Sequence, residues 1–169
     1  MAKAQRITGV AAEGSNRANA ALIIPIRLDE LIMWEEFTTD PQRVYELHQM
    51  RIAAKRLRYT LELFAPFYDA EFRKAIDEVK AIQETLGSIH DADVLVPDLQ
   101  EHMRRSLERG KDTPMGVYGG DFEAAAGILQ ICRRKTKERM ELFAKFNADW
   151  SELRKSGFFE RLKELVKRI

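Results

Sequence analysis

The chain has 169 residues, of which 45% are hydrophobic and 33% are charged, and its formal net charge is +1. This length fits one domain with a real core, and the near-neutral total excludes a global positive field that would attract polyanions. The single cysteine, Cys132, excludes an internal disulfide and favours a reducing cytoplasm. We expect no signal peptide, and the apolar run at residues 21–26 is too short to span a bilayer.

The N-terminal part predicts a leader followed by a helix. Residues 1–15 lack hydrophobic periodicity and are expected to form a flexible leader, with a single helical domain over residues 16–169. Apolar residues recur at helical spacing over residues 16–38, where Pro25 is expected to kink or break the helix.

A second helix is predicted to begin at Asp40 and Pro41, with Asp40 as the N-cap and Pro41 at the first helical position. It should run to about Phe64 and end near Pro66. At about 100° per residue, its apolar stripe consists of Met50, Ala54, Leu57, Leu61 and Phe64.

Another face of this second helix is basic. Its members share i, i+3, i+4 spacing and are His48, Arg51, Lys55, Arg58 and Tyr59. Residues 48–61 contain four Lys or Arg and no acid, and stacked cations repel unless an anion or acids from elsewhere pair with them. An ordinary solvated surface is the alternative. The absence of interleaved acids favours an anion-binding surface.

A third helix is predicted after Asp69, and Gly87 is expected to end it or to mark a close helix crossing. His90 and Asp91 should then open a fourth helical stretch with Pro97 in its first turns. Residues 110–120 read as a loop, followed by a long helix over residues 121–155 and a short one over residues 158–169. No window alternates like a strand, so the predicted fold is all-α, an antiparallel helical bundle of long helices.

The His90–Asp93 cluster has three interpretations. Asp91 caps a helix, with Asp93 as a favourable charge at the helix start. Alternatively, the acids orient basic side chains of a neighbouring helix. In the third, His48 and His90 with the two acids bind a divalent metal, as in a metal-dependent phosphohydrolase.

A second basic run lies on the long helix. Arg133, Arg134 and Lys137 point roughly together, but Glu138 and Glu141 dilute this face, which favours a solvated surface. If the bundle placed this run beside the basic face of the second helix, the two would form one basic groove. Lys135 and Arg139 lie nearer the apolar stripe, where their long stems can pack.

Two motifs together resemble the CHAD (conserved histidine α-helical domain) family. The first is His48-x-x-Arg51-x-x-x-Lys55-Arg56-Leu57-Arg58-Tyr59, and the second is Gln83-x-x-Leu86-Gly87-x-x-His90-Asp91-x-Asp93-Val94. The resemblance covers roughly residues 40–155. It implies a fold of two pseudo-symmetric helical halves around a basic cavity. It also implies binding of inorganic polyphosphate and frequent association with triphosphate-tunnel enzymes. This chain has one clear motif copy, so either the helix of residues 133–139 is a degenerate second copy or a homodimer supplies the missing half.

The function expected from residues and resemblance together is non-catalytic binding of polyphosphate or a similar polyanion, without cofactor or metal. The expected binding residues are His48, Arg51, Lys55, Arg56, Arg58, Arg133, Arg134 and Lys137, supported by Tyr59, Gln83, His90, Asp91 and Asp93. A metal-dependent phosphohydrolase and a nucleic-acid or protein-interaction bundle are the alternatives.

Overall fold

The computed structural model describes residues 4–110 and 118–168, with side chains for residues 4–108 and 124–168. Within these ranges the chain forms five α-helices and no strand. The helices are α1 (Asn16–Ile32), α2 (Val44–Phe64), α3 (Ala70–Gly110), α4 (Tyr118–Lys155) and α5 (Phe158–Lys167), and 3₁₀ turns occupy Glu35–Phe37 and Ala65–Phe67. The all-α prediction is confirmed. Of the predicted loop, residues 111–117 lie outside the described residues, and α4 begins before the predicted residue 121.

One hydrophobic core unites the five helices. α2 packs against α1 on one side and α3 on the other, α4 packs along α3, and α5 packs against α1, α3 and α4. Every residue of the predicted α2 stripe is buried in this core, as are Phe72, Ile82 and Leu86 of α3 and Phe146 of α4. Burying this stripe leaves the basic face of α2 at the boundary with α3.

The helix α1 is continuous through Pro25, so of the predicted kink or break the break is wrong. Ser15 caps α1 by accepting a hydrogen bond from the Ala18 amide at 3.1 Å. Ile24 and Leu28, which flank Pro25, are fully buried. We attribute the continuity to this packing, which offsets the single backbone hydrogen bond that proline cannot donate.

The start of α2 differs from the prediction by three residues. The helix begins at Val44, and Arg43 occupies the N-cap position without a side-chain hydrogen bond. The Asp40 carboxylate instead accepts a hydrogen bond from the Gln42 amide at 2.9 Å. Asp40 therefore closes a local turn, which is the competing use of an aspartate in such a position.

Of the two alternatives predicted for Gly87, the helix end is wrong, and so is the predicted helix start at His90. Asp69 caps α3, as predicted, by accepting from the amides of Glu71 at 3.0 Å and Phe72 at 3.3 Å. The helix then runs for 41 residues through Gly87 and Pro97. An interior glycine costs only about 1 kcal/mol relative to alanine, and buried core residues on both sides of Gly87 hold the helix together.

The chain turns from α4 into α5 at Gly157, whose φ of 67° lies in the left-handed region that favours glycine. α4 ends at Lys155, as predicted. None of the helices that the structure describes is long and apolar enough to cross a membrane.

Candidate anion-binding site

The basic face of α2 lies along α3, and the two helices run antiparallel. His48 contacts His90, Arg51 lies over Gly87, and Arg58 bonds Gln83, so later residues of α2 meet earlier residues of α3. We call this arrangement the basic seam. It consists of His48, Arg51, Lys55 and Arg58 of α2 with Gln83, Gly87 and His90 of α3. The structure thereby brings the first sequence motif against the second.

Arg51 is the seam cation whose partly buried side chain has the fewest hydrogen-bond partners within the described residues. Its side chain is half-buried, and its Nε is buried without a hydrogen-bond partner among the described residues. A Cβ added at Gly87 would lie 3.7 Å from this nitrogen, so Arg51 lies over α3 at Gly87 with room for a methyl group between them. A buried donor without an acceptor costs about 1–3 kcal/mol. Arg51 is therefore a candidate donor to an anionic oxygen that the protein itself does not provide.

Arg58 is held from two sides. Its Nη1 donates to the Gln83 side-chain oxygen at 2.7 Å, which orients the guanidinium with a neutral amide. Its Nε lies 3.2 Å from Glu62 Oε1, an ion-pair distance, but the N–H is not directed into a hydrogen bond. Glu62 is largely exposed, so water weakens its attraction for Arg58. Arg58 keeps donors for a ligand.

Lys55 and Tyr59 form the exposed rim of the seam. The Lys55 ammonium lies 5.6 Å from the centroid of the Tyr59 ring, and the Arg58 guanidinium carbon lies 4.9 Å from it. Both distances suit cation–π attraction. Half of Tyr59 is exposed, so one part of the ring orders the cations and another part faces solvent.

His48 and His90 contact each other at the end of the seam, with their ring planes tilted by 36°. Their Nδ1 atoms lie 3.2 Å apart and their ring centroids 4.1 Å apart. Burial lowers the pKa of His48 below its usual value, and the neighbouring His90 and Arg51 lower it further. The neutral form of His48 is therefore favoured when no anion is present.

Arg56 does not belong to the seam. Its Nη1 donates to Glu30 Oε2 at 2.8 Å, on the α1 side of α2. Glu30 is only 3% exposed and also binds Arg27, at 2.6 Å, and the backbone amide of Gln5. Arg56 therefore pairs with a buried acid of α1 and lies apart from the cations of the seam. An acid between the apolar residues Leu28 and Leu31 was the sequence signal for this pairing.

The two acids of the cluster after His90 have different surroundings. Asp93 binds Arg139 of α4, with 2.6 Å between Oδ1 and Nε, and both side chains are buried. Arg139 also donates to the Pro41 carbonyl at 2.7 Å. The second interpretation, an acid orienting a basic side chain of a neighbouring helix, therefore describes Asp93. The first is wrong, because Asp91 is exposed in the interior of α3 and caps no helix.

The described residues contain no group of three or more His, Cys, Asp or Glu side chains that could hold a metal ion. Asp93 is occupied by Arg139, which removes one carboxylate from the proposed ligand set. No observation in this part of the chain favours the phosphohydrolase alternative.

Arg133, Arg134 and Lys137 do not join the seam. At about 100° per residue they lie on the side of α4 opposite Arg139, which is the residue that reaches α3 and Pro41. All three are exposed; Arg134 lies 3.8 Å from Glu138 and Lys137 lies 3.7 Å from Glu141. This geometry agrees with a solvated surface, and the single basic groove considered from the sequence does not form within the chain.

A family model described as the CHAD domain matches residues 3–100, which is more than half of the chain. No curated protein and no solved structure matches significantly. Every residue of the basic seam falls within the matched range. The chain therefore belongs to the CHAD domain family.

Proposed function

We propose that this chain binds inorganic polyphosphate, or a similar linear polyanion, along the basic seam and catalyses no reaction on it. Membership of a family associated with polyphosphate supports the ligand class. The observation that carries the proposal is the state of Arg51. Its guanidinium is partly removed from water, and its buried Nε has no acceptor among the described residues.

The seam supplies complementary kinds of contact to phosphate oxygens. Arg51 and Arg58 are planar donors that can bind two oxygens at once, while Lys55 is a mobile point charge at the rim. His48 and Arg58 are ten residues apart on α2, or about 15 Å at 1.5 Å per residue. A linear anion lying along the seam would contact all four side chains, whereas a single phosphate would reach only neighbouring ones.

Tyr59 is the observation that favours a second candidate, single-stranded nucleic acid. Its half-exposed ring lies near two cations, and a base stacked on such a ring contributes about 1–3 kcal/mol. Competition between polyphosphate and a single-stranded RNA at equal salt separates the two ligands. We expect polyphosphate to displace the RNA, and replacement of Tyr59 by alanine to weaken binding of the RNA more than binding of polyphosphate.

Two partners inferred from the family resemblance stay predictions. One is a second copy of the chain that completes a cavity, and the other is a triphosphate-tunnel enzyme. The seam is open along α2 and α3 within one chain, and a second basic wall would raise the affinity for a long ligand through additional phosphate contacts.

The test of the proposed function compares two triple variants with the same change in charge. The first is Arg51→Ala/Lys55→Ala/Arg58→Ala, and its matched control is Arg133→Ala/Arg134→Ala/Lys137→Ala. We expect the seam variant to lose at least about 100-fold in affinity for short-chain polyphosphate, measured by calorimetry, because it loses three charge-assisted contacts. The control variant should lose less than about threefold, since distant exposed charges are screened. Equal losses in the two variants, or no loss in the first, would contradict the proposal.

A further inference from the structure

We propose that the His48–His90 pair couples anion binding at the basic seam to the uptake of a proton. The affinity for polyphosphate then rises as the pH falls through neutrality. This inference rests on the proposed function and adds to it the regulation of the same site. It starts from the contact between the two Nδ1 atoms, which lie 3.2 Å apart.

The contact limits the number of protons that the two rings can hold. A hydrogen bond between two Nδ1 atoms needs one N–H and one lone pair, so two neutral rings must be opposite tautomers. A first added proton goes to Nε2 of the donor ring, and the bond survives with one positive charge. A second proton would place N–H against N–H and break the bond. The closed pair therefore carries a charge of zero or one.

The surroundings of the pair disfavour positive charge in the empty seam. The titratable or charged groups on the elements around the pair include Tyr45 and Arg51 one turn away on α2 and Asp91 and Asp93 on α3. On α4 they include Arg139, which binds Asp93, and Lys135 and Glu138, which line a cleft with Asp91. Arg51 adds a positive charge beside the rings. Asp93 is neutralised by Arg139, and Asp91 lines the cleft towards α4 together with Lys135 and Glu138.

A polyanion in the seam reverses this balance. Its negative potential favours imidazolium, so the pair gains a proton when the ligand binds. By linkage, a site that binds more protons in the complex than in the free protein binds its ligand more tightly at lower pH. The lowered pKa of His48 in the free protein places this ring on the neutral side of the equilibrium near pH 7.

The direct test follows the imidazole resonances by NMR across neutral pH, with and without saturating short-chain polyphosphate. We expect the titration midpoint of at least one ring of the pair to rise by about one pH unit. The ring of His102, which is exposed and outside the seam, serves as the internal reference. Backbone shifts along α2 report binding in the same samples. Binding without a change of midpoint would overturn this inference alone, whereas absence of binding would overturn the proposed function and this inference with it.

Calorimetry in two buffers of different ionisation enthalpy measures the protons taken up. At a pH midway between the two midpoints, the wild type and His102→Gln should take up about half a proton per bound ligand more than the double variant His48→Gln/His90→Gln, the most that a shift of about one pH unit allows. Protonation of the ligand itself is common to all three proteins and cancels in this difference. Equal uptake in all three would contradict the inference. If a variant does not bind, the NMR midpoints of the wild type decide.

Discussion

The basic seam and the interface between α3 and α4 each hold arginines that are mostly withdrawn from water, but the two regions provide different partners. The side chain of Arg139 is 10% exposed, and a carboxylate and a carbonyl satisfy it. The side chain of Arg58 is 19% exposed, and its closest hydrogen-bond partner is a neutral amide. Arg51 has a buried nitrogen with no hydrogen-bond partner in the described part of the chain.

This difference separates two uses of a buried cation. An arginine whose charge is already paired stabilises the fold, and removing it leaves an uncompensated carboxylate. A cation that the protein leaves without a full partner contributes little to folding and retains its capacity for an external anion. Sequence position does not distinguish the two, since both kinds of arginine lie on long amphipathic helices.

The largest expected effect concerns stability. Arg139→Ala should lower the free energy of unfolding by about 3–5 kcal/mol, because the buried Asp93 loses its partner. Arg51→Ala should lower it by less than about 1 kcal/mol, since no ion pair is lost. Urea denaturation of the two variants measures both values. Equal losses of stability in the two variants would contradict the distinction between the paired Arg139 and the incompletely paired Arg51.

The second prediction concerns salt. Three cations that release counterions from a linear polyanion give a slope of about −2 in log affinity against log salt, so a tenfold rise in salt should weaken binding about 100-fold. Arg58→Ala should make the slope shallower by about 0.7, whereas Arg139→Ala, if folded, should leave it unchanged. Polyphosphate binding that survives high salt undiminished would place its contacts outside the seam.

The third prediction concerns Arg56, which the sequence grouped with the seam and the structure pairs with Glu30. Arg56→Ala should cost about 1–2 kcal/mol of stability and change the polyphosphate affinity by less than about threefold. Thermal unfolding and calorimetry on the same preparation measure the two effects. A large loss of polyphosphate affinity at unchanged stability would show that Arg56 contacts the ligand.

The smallest effect is expected at Gly87. A Cβ at this position would meet Arg51 at an ordinary contact distance of 3.7 Å. Gly87→Ala should therefore stabilise the protein by about 0.5–1 kcal/mol, the usual gain in a helix interior. Gly127→Ala is the matched control, because a Cβ there meets nothing within 4 Å. A destabilised Gly87→Ala beside a stabilised Gly127→Ala would show that α2 and α3 need the glycine for close packing.

Sequence patterns predicted the parts of this molecule that depend on residues close in the chain. The buried stripe of α2 and the cap at Asp69 both follow from helical spacing or local hydrogen bonding. The continuous α3 was not predicted, because Gly87 and Pro97 weaken a helix locally and only packing on both sides restores it. The sequence also left the roles of Asp91 and Asp93 undecided, because each role depends on which helix lies beside the residue.

The sequence by itself determined that this chain is helical and that α2 carries an apolar stripe beside an acid-free basic face. Both are consequences of a repeat of 3.6 residues acting within single helices. The tertiary structure alone decided which cations are paired, because partners such as Glu30 and Asp93 lie 26 and 46 residues away in the chain. It also decided that Arg51 lies on Gly87 and that His48 meets His90. Those contacts between α2 and α3 turn a charged helix face into a candidate site.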